Sequence, residues 1–305
     1  MSTASIDGAS LSRRTGGDVG RLSMRGTTWL MTPAVGLLFA WTLVPLIMTL
    51  WFSLQRYNLQ DPAGRGFAGL ENYEYLFTDP SLATALLNTV IIVAAGLIVT
   101  IAGGVLLAVI FDQPFYGRSV ARLLVVVPFF VMPTVSALVW KNLLMHPVYG
   151  LFAWVSNSLG FEAIDWFGDY PLASVIAIVC WEWIPFAALI LLTSIQSLDR
   201  EQVEAARIDG AGAWMVFRFV TLPHLARPIA VVVMLETIFF LVVYAEIVVT
   251  TVGGPGLATT NLTFLIYSRA LLAFDIGGAS AAGVLAIVIA NLVTFLFVRT
   301  IARQM

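Results

Sequence analysis

Residues 80–111 read PSLATALLNTVIIVAAGLIVTIAGGVLLAVIF and contain no charged side chain. Residues 26–55 and 276–298 form two further runs without charge. Each run is longer than the roughly 20 residues with which an α-helix crosses a bilayer. None of them alternates apolar and polar residues as the strands of outer-membrane barrels do. The sequence therefore predicts an all-α integral membrane protein.

The composition agrees with this class and excludes several others. Of the 305 residues, 59% are hydrophobic and 11% are charged, whereas a soluble domain carries about 25% charged residues. The single cysteine, Cys180, allows neither an intrachain disulfide nor a cysteine-based metal site. No HExxH or GxSxG motif occurs, and the single lysine, Lys141, lies outside any GxxxxGK[ST] phosphate loop. An enzyme is therefore disfavoured, and so is ATP binding through a phosphate loop.

The apolar runs and the loops between them predict six membrane spans. We place these spans at residues 29–53, 86–111, 119–143, 172–197, 228–251 and 279–299. Pro128, Pro133 and Pro185 predict kinks in the third and fourth spans. Residues 1–27 are rich in Ser, Gly and Arg and predict a flexible N-terminal tail, which leaves residues 28–305 as the transmembrane domain.

The distribution of positive charge predicts the orientation of the spans. If both termini are cytoplasmic, twelve of the sixteen Lys and Arg residues fall in cytoplasmic segments. Cytoplasmic loops of membrane proteins carry such an excess. The sequence therefore predicts a multi-pass protein with both termini in the cytoplasm and a loop at 199–223 on the same side.

That loop reads DREQVEAARIDGAGAWMVFRFVTLP and carries signals of ordered structure. Asp199 is placed to cap a helix through residues 204–206, and Gly210 and Gly212 break it. A second short helix is expected to stop at Pro223. A helix-turn-helix of this kind suits docking into a groove of a cytoplasmic partner.

The loop resembles the EAA loop of permease subunits in bacterial ATP-binding-cassette importers. The matching residues are Glu204, Ala205, Ala206, Gly210, Leu222 and Pro223, with Val220 where isoleucine is usual. Phe67–Tyr73 (FAGLENY) resembles the FxGLxNY of carbohydrate permeases, and Gly253-Gly254-Pro255 is similar to their GGP turn. The resemblance extends over residues 29–303. The stretches 244–251, 260–267 and 274–277 look most like permeases for sugar alcohols such as sorbitol and mannitol.

The resemblance implies a transport subunit of the bacterial inner membrane that is not an enzyme and holds no cofactor or metal of its own. A periplasmic or lipid-anchored binding protein would deliver a neutral sugar or sugar alcohol. A second, non-identical permease would complete the path. Two partner ATPase subunits would hold ATP and magnesium, and the EAA loop would couple them to transport. No nucleic-acid partner is implied.

Three intramembrane acids, Glu182, Glu236 and Glu246, are candidates for function because charge inside a bilayer is costly. Carboxylates accept hydrogen bonds from hydroxyl groups, which suits a polyhydroxy ligand. By resemblance, the third to fifth spans supply the pocket of maltose-type permeases. The residues carried over are Phe130, Thr134, Glu182, Trp183, Phe186, Glu236, Phe239, Phe240 and Val243. Phe240 and Val243 stand where amides are expected, which favours a ligand other than a disaccharide.

Several alternatives stay open at this point. Glu236 could pair with Arg227 or with a residue of a partner subunit, and Glu246 could be a solvated residue of the outer vestibule or a contact for the binding protein. An ion-coupled secondary transporter would use the same acids to bind protons or sodium. Within the importer family, the ligand could also be a disaccharide or glycerol 3-phosphate. The predicted spans contain no arginine, however, and the carboxylates would repel a phosphate group.

Overall fold

The computed structural model describes residues 24–302. Of the predicted tail, residues 1–23 lie outside the described part, and the remainder begins the first helix. The helices in chain order are α1 (Met24–Ser53), α2 (Glu71–Thr78), α3 (Pro80–Asp112), α4 (Arg118–Val126), α5 (Pro133–Val139), α6 (Leu151–Ser158), α7 (Trp166–Asp169), α8 (Pro171–Gln196), α9 (Arg200–Ile208), α10 (Ala213–Val216), α11 (Leu222–Leu241), α12 (Ala245–Thr250), α13 (Leu262–Tyr267) and α14 (Ile276–Ala302).

Two short strands, β1 (Gln55–Arg56) and β2 (Gly66–Phe67), pair antiparallel, with Gln55 opposite Phe67. Three π-helical turns extend neighbouring helices, at Trp140–Leu144, Phe217–Thr221 and Ser268–Leu272. We call the end of the helices that carries β1, β2 and α2 the hairpin end. The end that carries α9 and α10 is the loop end.

Within residues 24–302, five helical segments are long and apolar enough to cross a membrane. They are Met31–Ser53, Pro80–Asp112, Pro171–Gln196, Ala213–Leu241 and Ile276–Phe297. The fourth predicted span agrees with α8 to within a residue at each end, and α3 begins six residues before the predicted second span. The earlier start follows from Asp79, whose carboxylate accepts a hydrogen bond from the Ser81 N–H at 2.8 Å and caps the helix.

The third predicted span is broken rather than kinked. Its two parts, Arg118–Phe130 and Pro133–Leu144, meet at an angle of 106° and count as a sixth span only if they are taken together. Pro133 begins α5, and Met132 before it is extended, with φ −65° and ψ 137°. A residue before proline is disfavoured in the helical region, so the chain leaves the helix here.

The predicted fifth span, 228–251, is wrong at both ends. Helix α11 begins earlier, at Leu222, and stops at Leu241, and α12 follows only after a break at residues 242–244. The segment around α13 supplies hydrogen-bond donors to backbone carbonyls that the break leaves without helical partners. Asn261 Nδ2 donates to the Val243 carbonyl at 2.6 Å, and Thr263 Oγ1 donates to the Leu241 carbonyl at 2.8 Å. These bonds replace the helical bonds that the break removes.

Helix α8 lies at the centre of the packing and contacts α3 along much of its length. A Cβ atom at Gly104 would lie 2.6 Å from the Ala187 Cβ atom, so glycine allows α3 to approach α8 closely at this point. Pro185 lies inside α8 without ending the helix. Among the described residues, buried side chains form three clusters. The first contains Leu76 and Leu82, the second Ile92 and Phe240, and the third Leu191 and Leu225.

Candidate functional site

Five aromatic side chains gather around a sixth, Trp183 on α8. The Trp183 ring lies 4.5 Å from that of Phe239, 5.6 Å from Phe186, 5.7 Å from Phe129 and 5.9 Å from Phe240, between ring centroids. Phe130 stacks edge-on against Phe129 at 5.5 Å. We call these six residues the aromatic cluster. It lies where the broken third span, α8 and the end of α11 meet.

The structure divides the predicted ligand residues by exposure. Phe130 is 76% exposed and Phe239 47%, Thr134 is exposed, and Trp183 and Phe186 are half-buried. Phe240 and Val243 are instead buried among Ile92, Val175 and Val179. A Cβ atom at Gly96 would lie 2.8 Å from the Phe240 ring, so this glycine makes room for the ring. In this structure the open face of the cluster is formed by Phe130 and Phe239.

Glu236 is fully buried beside α3. Thr100 Oγ1 donates to its Oε2 atom at 2.5 Å. Its other carboxylate oxygen, Oε1, has no hydrogen-bond partner among the described residues. The suggested pairing with Arg227 is wrong, because Thr100 takes that place and Arg227 forms no ion pair within the described part of the chain. Glu236 therefore keeps one acceptor unused.

Glu182 and Glu246 face each other across the junction of α8 and α12. Both side chains are buried, and their carboxyl groups interact. The Ser136 hydroxyl of α5 lies beside Glu182 and is fully buried. Glu182 Oε1 and Ser136 Oγ lack a partner that meets hydrogen-bond geometry within residues 24–302. The alternative of a solvated Glu246 is wrong, since packing against α5 and α8 buries it.

Lys141 joins the two broken spans. Its Nζ atom donates to the Val249 carbonyl at 2.9 Å and to the Thr250 carbonyl at 2.7 Å. These are the last carbonyls of α12, where a positive charge is favourable. Sequence reasoning used Lys141 only to exclude a phosphate loop, and it also missed Phe129, Thr100 and Ser136. The contacts of Lys141, Phe129 and Ser136 follow from the breaks in two spans, and that of Thr100 from the packing of α3 against α11, neither of which hydropathy reveals.

The loop at 199–223 forms the predicted first helix and turn. Asp199 accepts a hydrogen bond from the Glu201 N–H at 3.0 Å and caps α9, and Gly210 ends it with φ +86°. The expectation that Pro223 stops the second helix is wrong. The π-helical turn Phe217–Thr221 continues α10 into α11, and Pro223 falls in the first turn of α11, where its missing N–H is tolerated.

The surface of this loop presents both charged and apolar groups. Ile208 is 86% exposed, and Trp214, Glu204 and Ala205 are exposed as well, whereas Ala206 is half-buried. A groove of about 630 Å³ separates α9 and α10 from the ends of α3 and α8. Among the residues lining it are Asp112, Arg118, Arg200, Glu204 and Arg207. Glu204 thus borders this groove at the loop end.

The segment Phe67–Tyr73 at the hairpin end has a structural role. Asn72 Nδ2 donates to the Ser53 and Gln55 carbonyls, each at 2.8 Å, and Tyr73 Oη donates to Ser53 Oγ at 2.7 Å. Arg56 donates to Glu71 at 2.5 Å. This hydrogen bond lowers the pKa of Glu71 below its ordinary value. We call these contacts, with the pair described next, the hairpin clamp.

Asp79 and Arg269 form an ion pair at the same end. Burial alone raises the pKa of Asp79, but hydrogen bonds from Ser81 and Arg269 outweigh burial and leave the pKa below its ordinary value. Asn88 Nδ2 donates to the Leu257 and Thr260 carbonyls at 3.0 and 2.9 Å, beside the Gly253-Gly254-Pro255 turn. These contacts tie the start of α3 to the segments around α13.

Comparisons with known proteins agree on the type of protein. The family model described as "Binding-protein-dependent transport system inner membrane component" matches residues 101–305. A probable ABC transporter permease protein, y4oQ of Sinorhizobium fredii, is 35% identical over 86% of this chain and 85% of its own. The trehalose/maltose permease MalF of Thermococcus litoralis is 32% identical over 88% and 91%, respectively.

Two further proteins extend this result. The sulfoquinovosyl glycerol permease SmoG of Agrobacterium fabrum is 31% identical over 90% of both chains. A chain in the crystal structure of a bacterial ABC transporter that imports the acidic polysaccharide alginate superposes with a TM-score of 0.78. It is 20% identical and covers 92% of this chain and 97% of its own. That structure shows the shared fold.

Proposed function

The chain belongs to the family of inner membrane components of binding-protein-dependent transport systems, and we propose that it is the membrane-spanning subunit of an ATP-driven importer for a neutral sugar or sugar alcohol. It is a multi-pass permease subunit and not an enzyme. Membership of this family argues against the alternative of an ion-coupled secondary transporter that works without a binding protein. The observation that carries the ligand proposal is the open aromatic cluster beside two buried glutamates with unused acceptor oxygens.

The chemistry of the cluster suits a polyhydroxy ligand. Carboxylates accept hydrogen bonds from hydroxyl groups, and aromatic rings stack on the apolar C–H face of a sugar. No arginine or lysine belongs to the cluster, so the phosphate of a ligand such as glycerol 3-phosphate would lose its hydration there without gaining a counter-charge. Relatives named for trehalose/maltose and sulfoquinovosyl glycerol support a carbohydrate. We propose a sugar alcohol such as sorbitol or mannitol within this class, from the stretches around Tyr244 and Tyr267.

Access to the acids requires movement of the outer segments. Glu182 and Glu236 are buried in the described conformation, and Phe130 and Phe239 alone present an open face. The breaks at residues 131–132 and 242–244 flank α5 and α12. These two helices are linked through Lys141, so we propose that they move together and admit the ligand to Glu182 and Glu236.

The remaining parts of the proposal concern partners and topology. We propose six spans, with the bent pair counted as one, with both termini in the cytoplasm as the excess of positive charge predicts. The hairpin end then lies outside, where a periplasmic or lipid-anchored binding protein docks. A second, non-identical permease covers Phe130 and Phe239 and completes the path. Two ATPase subunits, which hold ATP and magnesium, receive α9 as the EAA coupling helix, with Glu204, Ala205, Ala206 and Gly210 at the contact.

The experiment is a ligand screen on the ATPase rate of the purified complex, reconstituted with its binding protein. The panel holds sorbitol, mannitol, maltose, trehalose and glycerol 3-phosphate. We expect a neutral ligand to stimulate ATP hydrolysis, and stimulation by a sugar alcohol would support the narrower proposal. Stimulation by a disaccharide alone would discard the sugar alcohol, and stimulation by glycerol 3-phosphate alone would contradict a neutral ligand.

A second experiment addresses coupling. Glu204→Ala should leave the chain in the membrane and abolish ligand-stimulated ATP hydrolysis, because the helix that reaches the ATPase loses its charged contact. Glu201→Ala on the same helix is the matched control, since Glu201 lies outside the EAA pattern and does not line the groove. Equal stimulation in wild type and Glu204→Ala would remove the coupling role from this loop.

A further inference from the structure

A second pocket, of about 380 Å³, lies at the loop end between the end of α8 and the start of α11. It is separate from the aromatic cluster and from the groove that Glu204 borders. Its lining residues are Ser194, Ser197, Pro223, His224, Arg227 and Pro228. None of these is acidic, so the pocket has positive character.

Two of the lining groups are engaged and two are open. His224 Nε2 lies 3.0 Å from the Ser194 carbonyl, and Ser197 Oγ donates to the same carbonyl at 2.8 Å. These bonds fix the imidazole ring against the end of α8. The Arg227 guanidinium and the Ser194 hydroxyl form no hydrogen bond or ion pair with the residues that the structure describes. The pocket therefore offers one cationic and one neutral donor without a protein partner.

The surroundings of the pocket point to a lipid. It lies at the loop end of the spans Pro171–Gln196 and Ala213–Leu241, and the ends of membrane spans lie near the headgroup region of a bilayer. Ile190 precedes Ser194 by one helical turn, and Val231, which is exposed, follows Arg227 by one turn. Both side chains therefore continue the two faces of the pocket toward the membrane interior. An acyl chain would lie along them while its phosphate occupies the polar end.

We propose that this pocket binds the phosphate of an anionic phospholipid, with phosphatidylglycerol as the chemical type. Arg227 donates charge-assisted hydrogen bonds to the phosphate oxygens, and the Ser194 hydroxyl donates a further one. Asp199, the nearest acid along the chain, is occupied as the cap of α9 and does not line the pocket. The site does not depend on which ligand the permease carries.

The test measures bound phosphatidylglycerol by native mass spectrometry, on the complex purified from membranes of defined phosphatidylglycerol content. Arg227→Gln should retain about tenfold less of this lipid, as expected when one charge-assisted hydrogen bond is lost. Ser194→Ala should retain less by a smaller factor. Arg218→Gln is the matched control, because Arg218 is an exposed loop-end arginine that lies over Phe219 and outside the pocket; it should retain lipid as wild type does.

Three outcomes would overturn the assignment. Equal lipid retention in wild type and Arg227→Gln would remove the site. Displacement of the lipid by inorganic phosphate alone would show a phosphate site without lipid selectivity. Loss of the ATPase subunits from Arg227→Gln, with lipid retained, would make Arg227 a protein contact instead. None of these outcomes depends on ligand-stimulated ATP hydrolysis, so they leave the proposed function untouched.

Discussion

The hairpin clamp and the middle of the spans both concentrate polar side chains in an apolar protein. The two regions differ in how many of those polar groups have a hydrogen-bond partner. In the clamp, Asn72 makes two hydrogen bonds, Tyr73 makes one, and Asp79 pairs with Arg269. In the middle, Glu182 and Glu236 each leave a buried oxygen without a partner within the described chain. A fold rarely leaves buried polar groups unpaired. The clamp is therefore scaffold, and the middle of the spans is the candidate site.

The difference has an energetic consequence. Leaving a buried polar group unpaired costs about 1–3 kcal/mol. Removal of a clamp residue should therefore reduce stability and spare transport. Removal of a glutamate should reduce transport and cost less stability.

The largest effect is expected from Glu182→Ala and Glu236→Ala. Each should reduce uptake at a subsaturating ligand concentration on the order of a hundredfold, as expected for the loss of a hydrogen bond to a charged group. The complex should still assemble, and its thermal unfolding midpoint should fall less than that of Asn72→Ala, because each glutamate has one buried oxygen without a partner within the described chain. Uptake in proteoliposomes and calorimetry on the same samples measure both quantities.

Normal uptake in both glutamate variants would contradict the ligand role of these acids. Thr193→Ala is a useful control, since among the residues that the structure describes its hydroxyl bonds only to the Ile190 carbonyl of its own helix. It should change neither quantity.

A smaller effect, on stability alone, is expected from Asn72→Ala. The variant leaves the Ser53 and Gln55 carbonyls without their donor, which should lower the free energy of unfolding by about 2 kcal/mol. The ligand concentration that gives half-maximal ATPase stimulation should stay unchanged. A shift in that concentration, with stability unaltered, would move Asn72 from the scaffold to the site.

The smallest effect concerns the pH dependence of the clamp. Because the pKa of Asp79 lies below its ordinary value in the folded chain, its contribution to stability is present above about pH 4 and is lost as the pH falls through the folded value. Asp79→Asn keeps a capping side chain but removes the ion pair with Arg269. It should cost up to about 1 kcal/mol at pH 7 and weaken the acid dependence. Identical acid unfolding of the variant and wild type would contradict a contribution of the Asp79–Arg269 ion pair to the acid dependence of stability.

The sequence predicts the class of fold because long uncharged runs allow few alternatives. It does not predict where those runs break. Pro133 marks one break, but its angle of 106° depends on packing against α8 and α12. The break at residues 242–244 depends on Asn261 and Thr263, which lie about twenty residues further along the chain. No local pattern connects those positions.

The same breaks limit the prediction of the site. Carrying over the ligand residues of the fifth span by resemblance assumes one continuous helix up to the Gly253-Gly254-Pro255 turn, and the interruption changes the faces on which Phe240 and Val243 lie. The structure packs both into the core. Glu182, Trp183 and Glu236 stand out in the sequence because a carboxylate or a tryptophan among aliphatic residues is visible without any structure, and their role toward a ligand stays a prediction. Phe129 was missed because a 3₁₀ turn, Val127–Phe130, sets its direction.

The most direct measurement is the structure of the assembled complex with its ligand bound, by electron cryo-microscopy. We expect the ring or carbon chain of the ligand to lie against Trp183 and Phe239, with one of its hydroxyl groups donating to Glu182 Oε1 or Glu236 Oε1. A ligand bound elsewhere, with both oxygens still unpartnered and buried, would contradict this prediction.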